Sequence, residues 1–431
     1  MSSTKAPIFK IIPTTQKYDW GKIGSSSKVA QFASKSKVPE FALDEGTPYA
    51  ELWMGTHSSS PARLLSGTTL ASHLASHKQL IGTRVLERFA DAGAGEGNLP
   101  FLLKVLAIAK ALSIQTHPDK KMAERLHKER PDIYKDANHK PEMAIAITDF
   151  EALCGFRPLS QISTFLESTP EFAALIPTAI AGEFKALSGS NSPDGPQERA
   201  ALKNLFAAVM TAEKEAFVVQ LDKLIRRYEV GGTSSAEDEI KELVLRINGQ
   251  FPADIGTFCA FILNYVRMVP GEAIFLAAGE PHAYISGDII ECMATSDNVI
   301  RAGLTPKLRD VPNLVAGLTY LASDHRKHLV QPTTFSASSR VSPHTTLYDP
   351  PIPEFAVLRT VLSAGETEEH GQIDGPSIVI VTEGSGDVSW DSDSLEVSEG
   401  DVFFIGANTP AKFRANKGQG FTIFRAFVEV E

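Results

Sequence analysis

The sequence predicts a mainly β fold: two jelly-roll barrels, with an α-helical domain inserted into the first. Three observations carry this expectation. Short apolar strands divided by Gly and Asp turns fill the C-terminal part, as in Ser377–Thr382 followed by Glu383-Gly384-Ser385-Gly386, and Asp401–Ile405 after Glu399-Gly400. Between about 159 and 265 the pattern is helical instead: Leu202, Leu205, Phe206, Val209 and Met210 share one face, as do Ile240, Leu243, Val244 and Ile247. Third, residues 271–282 (G-E-A-I-F-L-A-A-G-E-P-H) and 400–410 (G-D-V-F-F-I-G-A-N-T-P) run through the same order of Gly-acid turn, apolar strand and Gly-containing turn near a Pro. Strand spacing alone fits a jelly roll or a sandwich. The near-repeat favours a duplicated barrel in which only one copy kept its ligands, with chance as the competing account of so short a match.

The elements follow in order. Pro48–Gly55 reads as a strand running into a turn, and Leu70, Leu74, Leu80 and Leu86 give 65–90 a helical pattern. Pro100–Leu106 is an apolar strand holding one lysine, Lys104, which such a run admits only if the ammonium reaches a polar cavity. Asp119–Arg130 reads as a short helix with Asp119 near its start and Pro131 past its end. Pro141–Ile147 is a further strand, and after the insertion strands return at Gly271–Leu276 and Pro281–Ile285. The expected units are 1–158 (first barrel, N-terminal part), 159–265 (helical insertion), 266–330 (completion of the first barrel) and 331–431 (a second barrel without ligands).

Composition bounds the function. The chain has 431 residues, 43% hydrophobic and 22% charged, as in a soluble globular protein. A net charge of -10 disfavours nucleic acid and anionic membrane as partners, so an anionic substrate needs a local basic pocket. Cys154, Cys259 and Cys292 form no CxxC pattern, which speaks against disulfides and a thiolate zinc site and for a reducing compartment. The N-terminal MSSTKAPIFK stretch lacks a signal-peptide apolar region, and no apolar run reaches membrane-span length, so a cytoplasmic location is expected.

The chemistry centres on Leu112–Asp119. As a strand it places Ser113, Gln115 and His117 on one face. Burying a Gln and a His two residues apart is costly unless they serve a purpose, and a metal ion is the simplest one. Glu142, at the mouth of the next strand, and His282, in a Gly-Glu-Pro-His turn, could converge with Gln115 and His117 on one ion, because a barrel gathers strand ends. Each has a plainer reading: Gln115 and His117 as surface polar residues, Glu142 as a solvated strand start, His282 as a turn histidine. His73, His77, His127, His325, His328, His344 and His370 show no partner spacing and read as surface. The cysteines read as core, and Tyr18, Trp20 and Trp53 as core or pocket wall.

Five runs resemble the type I mannose-6-phosphate isomerase (phosphomannose isomerase) family in order and spacing across essentially the whole chain: Y-A-E-L-W-M-G-T-H (49–57), S-I-Q-T-H-P-D-K (113–120), N-H-K-P-E-M (138–143), F-L-A-A-G-E-P-H-A-Y (275–284) and S-D-N-V-I-R-A-G-L-T-P-K (296–307). The insertion is similar to that of eukaryotic, fungal-like members. The resemblance implies two cupin barrels and one zinc ion on Gln115, His117, Glu142 and His282. It points to Arg301 and Lys140 as catalytic residues, and to Ser113, Lys104, Glu291, Asp297 and Lys307 as substrate-binding ones. The implied reaction is reversible aldose–ketose isomerisation of mannose 6-phosphate and fructose 6-phosphate through a cis-enediol(ate), feeding GDP-mannose synthesis and glycosylation. A monomer acting on a hexose 6-phosphate is expected. Lys104, Arg301 and Lys307 are candidate phosphate cations, and Lys140, Glu291, Asp297 and His139 candidate proton-transfer bases. Two rivals remain: an iron-dependent cupin oxygenase, against which Gln115 and Glu142 argue, and a non-catalytic bicupin binding sugar or protein.

Overall fold

The computed structural model describes residues 6–36, 41–190, 192–337 and 340–430. Its strands form two large antiparallel sheets, 10-stranded and 11-stranded, and one 2-stranded pair.

The first sheet is organised by the strand His282–Ala294. Its first half pairs with Phe150–Phe156 and, at His282, with Gln115; its second half pairs with Phe101–Ile108 and with Glu142–Ala146. Gly287 lies between the halves at φ 115°, where a Cβ would sit 2.5 Å from the Asp149 carbonyl oxygen. Only glycine tolerates that backbone, so the strand can bend there and change neighbours. In the second half Glu291 lies opposite Lys104 and Ala144, and Met293 opposite Leu102 and Glu142. Strand alternation therefore puts Lys104, Glu291 and Glu142 on one face.

The second sheet runs Thr333–Ala337, Arg340–Tyr348, Ala356–Leu362, Phe421–Phe427, Ser377–Trp390, Val402–Ile405, Ile8–Ile12 and Arg63–Leu64. Both copies of the near-repeat form strands, Ala273–Leu276 and Val402–Ile405. The turn expected at Glu383–Gly386 is instead part of the long strand Ser377–Trp390, which slips register between Val381 and Glu383 and carries Gly384 at φ 75°. A β-bulge absorbs the glycine there.

Two boundaries differ from the sequence reading. Ile8–Ile12, expected in the first unit, pairs with Val402–Ile405, and the chain then crosses to the first sheet, where Thr14–Gln16 pairs with Glu51–Met54. Phe9 stacks on Phe404 with centroids 5.2 Å apart, a long-range contact that no local pattern reports. Leu263–Met268 already belongs to the first sheet, beside Phe150–Phe156.

The helices Leu159–Ser168, Thr178–Leu187, Pro196–Met210, Lys214–Glu229 and Lys241–Gln250 make up most of the insertion. Leu202, Leu205, Phe206 and Val209, and Ile240, Val244 and Ile247, are fully buried, as their spacing requires. They share a core with Phe156, Ile114 and Ile300. Gln250 accepts a hydrogen bond from the Ala111 amide at 2.9 Å, tying the insertion to the approach of the Ser113–His117 segment. The helix Lys120–Glu129 follows that segment, and Asp119 caps it by accepting from the Met122 amide at 2.7 Å. Among the described residues no helix is long and apolar enough to cross a membrane.

Candidate metal centre and active site

Three buried side chains converge where strands of the first sheet begin or end. His117 follows Ile114–Thr116, Glu142 opens Glu142–Ala146 and His282 opens His282–Ala294. The Gly279 amide donates to the His117 carbonyl at 2.9 Å, bringing the Gly-Glu-Pro-His turn against the Gln115 strand. Glu142 Oε1 lies 3.4 Å from His117 Nε2, and Oε2 lies 3.4 Å from His282 Nε2. Gln115 sits directly opposite both His282 and Arg301 in the sheet, so the three share a face. Ser113 Oγ donates to Gln115 Oε1 at 3.3 Å.

The outer ring nitrogens settle the chemistry. His117 Nδ1 lies 2.7 Å from the Asn298 carbonyl oxygen and His282 Nδ1 lies 3.0 Å from that of Glu280. A carbonyl only accepts, so each Nδ1 carries the proton and each Nε2 turns a lone pair inward. Burial pushes the His117 imidazole down to about 4, leaving it neutral at neutral pH. Burial also opposes the Glu142 charge. Lys140, 3.1 Å from Oε1, is the strongest of the groups that overcome this and hold the carboxyl well below its usual range. His117 Nε2, His282 Nε2 and Glu142 Oε2 are buried without a hydrogen-bond partner. Acceptors facing one another with no donor repel, and burial removes the water that would separate them. A divalent cation resolves the conflict. Two imidazoles, a carboxylate and an amide oxygen, with no thiolate, suit zinc in a catalytic rather than a closed structural site.

The remaining predicted residues divide by their partners. Lys104 Nζ lies 3.1 Å from Glu291 Oε2, 3.5 Å from Glu51 Oε2 and 4.8 Å from the centroid of the Trp53 ring. Burial works against the Lys104 charge, but Glu51 and Glu291 outweigh it and raise its pKa. Burial raises the Glu291 carboxyl against the pull of Lys104. Asp297 Oδ1 lies 3.3 Å from His57 Nε2, and the hydrogen bond from His57 holds its carboxyl below the usual value. His139 Nε2 is 2.5 Å from Oε1 of Glu354, a residue that precedes the second-sheet strand Ala356–Leu362. The Arg301 side chain has no hydrogen-bonding or ionic partner among the described residues, and burial alone lowers its pKa. Lys307 stands exposed on the turn after Ile300–Gly303, and its backbone amide donates to Thr305 Oγ1 at 3.1 Å. A cavity of about 840 Å³ is lined by His57, Asn138, Asp297 and Glu354 among others.

The sequence reading overlooked Glu51 and His57, and took Trp53 for core or wall only. All three lie in the Tyr49–His57 run, and alternation along Glu51–Met54 puts Glu51 and Trp53 on the Lys104 face, which was a usable signal. Three histidines read as surface are buried. His73 packs on Phe9 and His77, His328 fits against Gly155, and His370 is bonded to Thr345, Thr360 and Arg425. Tyr18 is exposed, while the three cysteines are buried.

A cluster of buried acceptors placed to hold a cation, beside an arginine with no side-chain partner among the described residues, has the build of a metal-dependent enzyme. Comparison with known proteins narrows the class. Residues 8–159 match the profile "Phosphomannose isomerase type I, catalytic domain", 175–263 the helical insertion domain of the same family and 346–393 its C-terminal part. The mannose-6-phosphate isomerase of Cryptococcus neoformans var. neoformans is 48% identical over 98% of this chain and 99% of its own length. That of Saccharomyces cerevisiae is 43% identical over 98% of this chain and 99% of its own. The solved mannose 6-phosphate isomerase of Salmonella typhimurium, bound to substrate and zinc, superposes with a TM-score of 0.79 at 29% identity, covering 99% of this chain and 100% of the other. The chain belongs to the type I phosphomannose isomerase family, and its fold is the cupin fold with a helical insertion.

Proposed function

We propose that this protein interconverts mannose 6-phosphate and fructose 6-phosphate by moving a proton between C1 and C2 of the open sugar through a cis-enediol(ate). The observation that carries the reading is the set of buried acceptors on His117, Glu142 and His282, without hydrogen-bond partners among the described residues, beside Arg301, which has none there either. These three residues and Gln115 would hold zinc. When bound it supplies Lewis acidity that stabilises negative charge developing on sugar oxygens.

The chain's own groups do the rest. Among the described residues Arg301 is the candidate cation left free for substrate: Lys104 is already compensated by two carboxylates, and Lys307 is exposed. Its planar guanidinium suits a phosphate or enediolate oxygen. Glu291 takes and returns the proton: it is buried 3.1 Å from Lys104 on the Glu142 face of the sheet, and burial raises its carboxyl. Lys140, paired with Glu142, is placed to donate to a sugar oxygen. Asp297, held acidic by His57, is the weaker base, and His139 is engaged by Glu354. Ser113, bonded to Gln115, offers a hydroxyl beside the substrate. The enzyme works as a cytoplasmic monomer and provides mannose 6-phosphate for GDP-mannose synthesis and glycosylation.

A coupled assay for fructose 6-phosphate formed from mannose 6-phosphate tests this, run on the clean protein, after chelation and after zinc is restored. Turnover that disappears with the metal and returns with zinc is expected. Absence of turnover, or full activity after complete zinc removal, refutes the reading. Activity restored only by redox-active iron favours the oxygenase.

A further inference from the structure

We propose that Asp136 is the positioning residue of this site, setting the His117 imidazole and the Asp297 carboxylate together through the segment Ser296–Asn298. The proposal rests on the zinc reading above and goes beyond its ligand set.

Residues 296–299 belong to neither neighbouring strand, so backbone pairing does not fix their path. Side-chain bonds do. Asp136 Oδ1 accepts from the Asn138 amide at 2.9 Å, Ser296 Oγ at 2.8 Å and Asn298 Nδ2 at 3.1 Å. Its Oδ2 accepts from the Asp297 amide at 2.8 Å, and its main-chain oxygen takes Asn298 Nδ2 at 2.8 Å. Asn298, 1% exposed, also donates from Nδ2 to the Asn138 carbonyl at 2.9 Å. The Asn298 carbonyl then receives the His117 Nδ1 proton at 2.7 Å. One carboxylate thus reaches the outer nitrogen of the His117 ring through a single intervening residue. It also pins the backbone of Asp297, whose side chain meets His57. A carboxylate suits this place because both of its oxygens accept and several donors converge on them. Asparagine is nearly isosteric but turns an N–H toward one of those donors. The Asn298 carbonyl must then shift, and the His117 ring with it.

The test uses the full-length zinc protein and its Asp136→Asn and Ser296→Ala variants. Zinc transfer to a chromophoric chelator gives the release rate, the visible spectrum of the cobalt(II)-substituted protein reports ligand geometry, and kcat and KM are measured separately. Outer-shell partners of ligands are typically worth about 10–100-fold in metal affinity. Asp136→Asn is expected to release zinc faster by about that factor, to alter the cobalt spectrum and to lower kcat more than it raises KM. Ser296→Ala removes one donor and shifts the same readouts less. A merely structural role would lower the melting temperature while leaving the cobalt spectrum and zinc release unchanged, and that result overturns the proposal. If Asp136→Asn does not fold, unchanged release and spectrum in Ser296→Ala overturn it instead. Wild-type protein that takes up no zinc overturns the metal reading and this proposal together. A wild type that holds zinc beside unchanged variants overturns the proposal alone.

Discussion

Lys104→Met keeps an unbranched apolar side chain and removes the charge. In the structure the ammonium lies 3.1 Å from Glu291 and 3.5 Å from Glu51, and the three side chains are 8%, 4% and 10% exposed. At an effective dielectric of about 20, charges at such separations attract by roughly 5 kcal/mol per pair. Desolvation offsets much of this, so breaking a buried pair costs about 3–5 kcal/mol in practice. That is a large share of the roughly 5–15 kcal/mol by which a folded protein is stable. The variant relieves part of the loss by protonating Glu291, which burial already raises. A carboxyl whose pKa is higher folded than unfolded makes the folded state bind more protons between the two values. Stability therefore falls as pH rises through that window, and the deficit of the variant grows in the same direction. Urea titrations followed by circular dichroism, at about pH 5.5 and about pH 8, measure this for wild type, Lys104→Met and Lys104→Met/Glu291→Gln. The expected deficit is about 3–5 kcal/mol at the higher pH, smaller at the lower one, and largely relieved in the double variant. A Lys104→Met protein as stable as wild type at both pH values, or a deficit indifferent to pH and to Glu291→Gln, would refute the reasoning.

Arg301→Ala should keep its zinc, measured by metal analysis, while kcat drops by about 10²–10³-fold, the usual cost of one well-placed charge-stabilising donor; loss of zinc would make Arg301 structural. Stripping the metal leaves the His117, Glu142 and His282 acceptors facing one another, so the melting temperature should fall in the apoprotein and climb with zinc concentration. A melting temperature indifferent to zinc would contradict that. Glu354→Ala frees His139 from a bond to the second-sheet side of the molecule. At about 1.5–3 kcal/mol for a bond to a charged group, urea titration should show a stability loss of about that size with zinc content unchanged; unaltered stability would show that the contact is idle.

Much of this molecule was legible locally. The spacing of Leu202, Leu205, Phe206 and Val209 identified a buried helical face, and Lys104 in an apolar strand announced a polar interior. Gln115 and His117 were visible as polar residues of one strand face because alternation is a property of neighbouring residues. Other features were invisible for the converse reason. The attachment of Ile8–Ile12 to Val402–Ile405, the bond from His139 to Glu354 and the grip of Asp136 on Ser296–Asn298 join residues far apart in the chain. His73, His328 and His370 were misplaced because nothing beside them in sequence reports the rings, glycine and hydroxyls that enclose them.

The sequence by itself determined the kinds of group available: imidazole, carboxylate and amide side chains with no CxxC thiolate pair, a lysine in an apolar strand, and the faces that strands and helices present. Only the tertiary structure decided which of them meet and in what charge state. The register of His282 against Gln115, and the bend at Gly287 that lets one strand serve two sets of neighbours, bring the acceptors together. Burial and the nearest opposite charge then separate Lys104, compensated by Glu51 and Glu291, from Arg301, which has no partner among the described residues. Periodicity acts over a few residues, whereas desolvation and Coulomb energy depend on distances in space, which the fold alone sets.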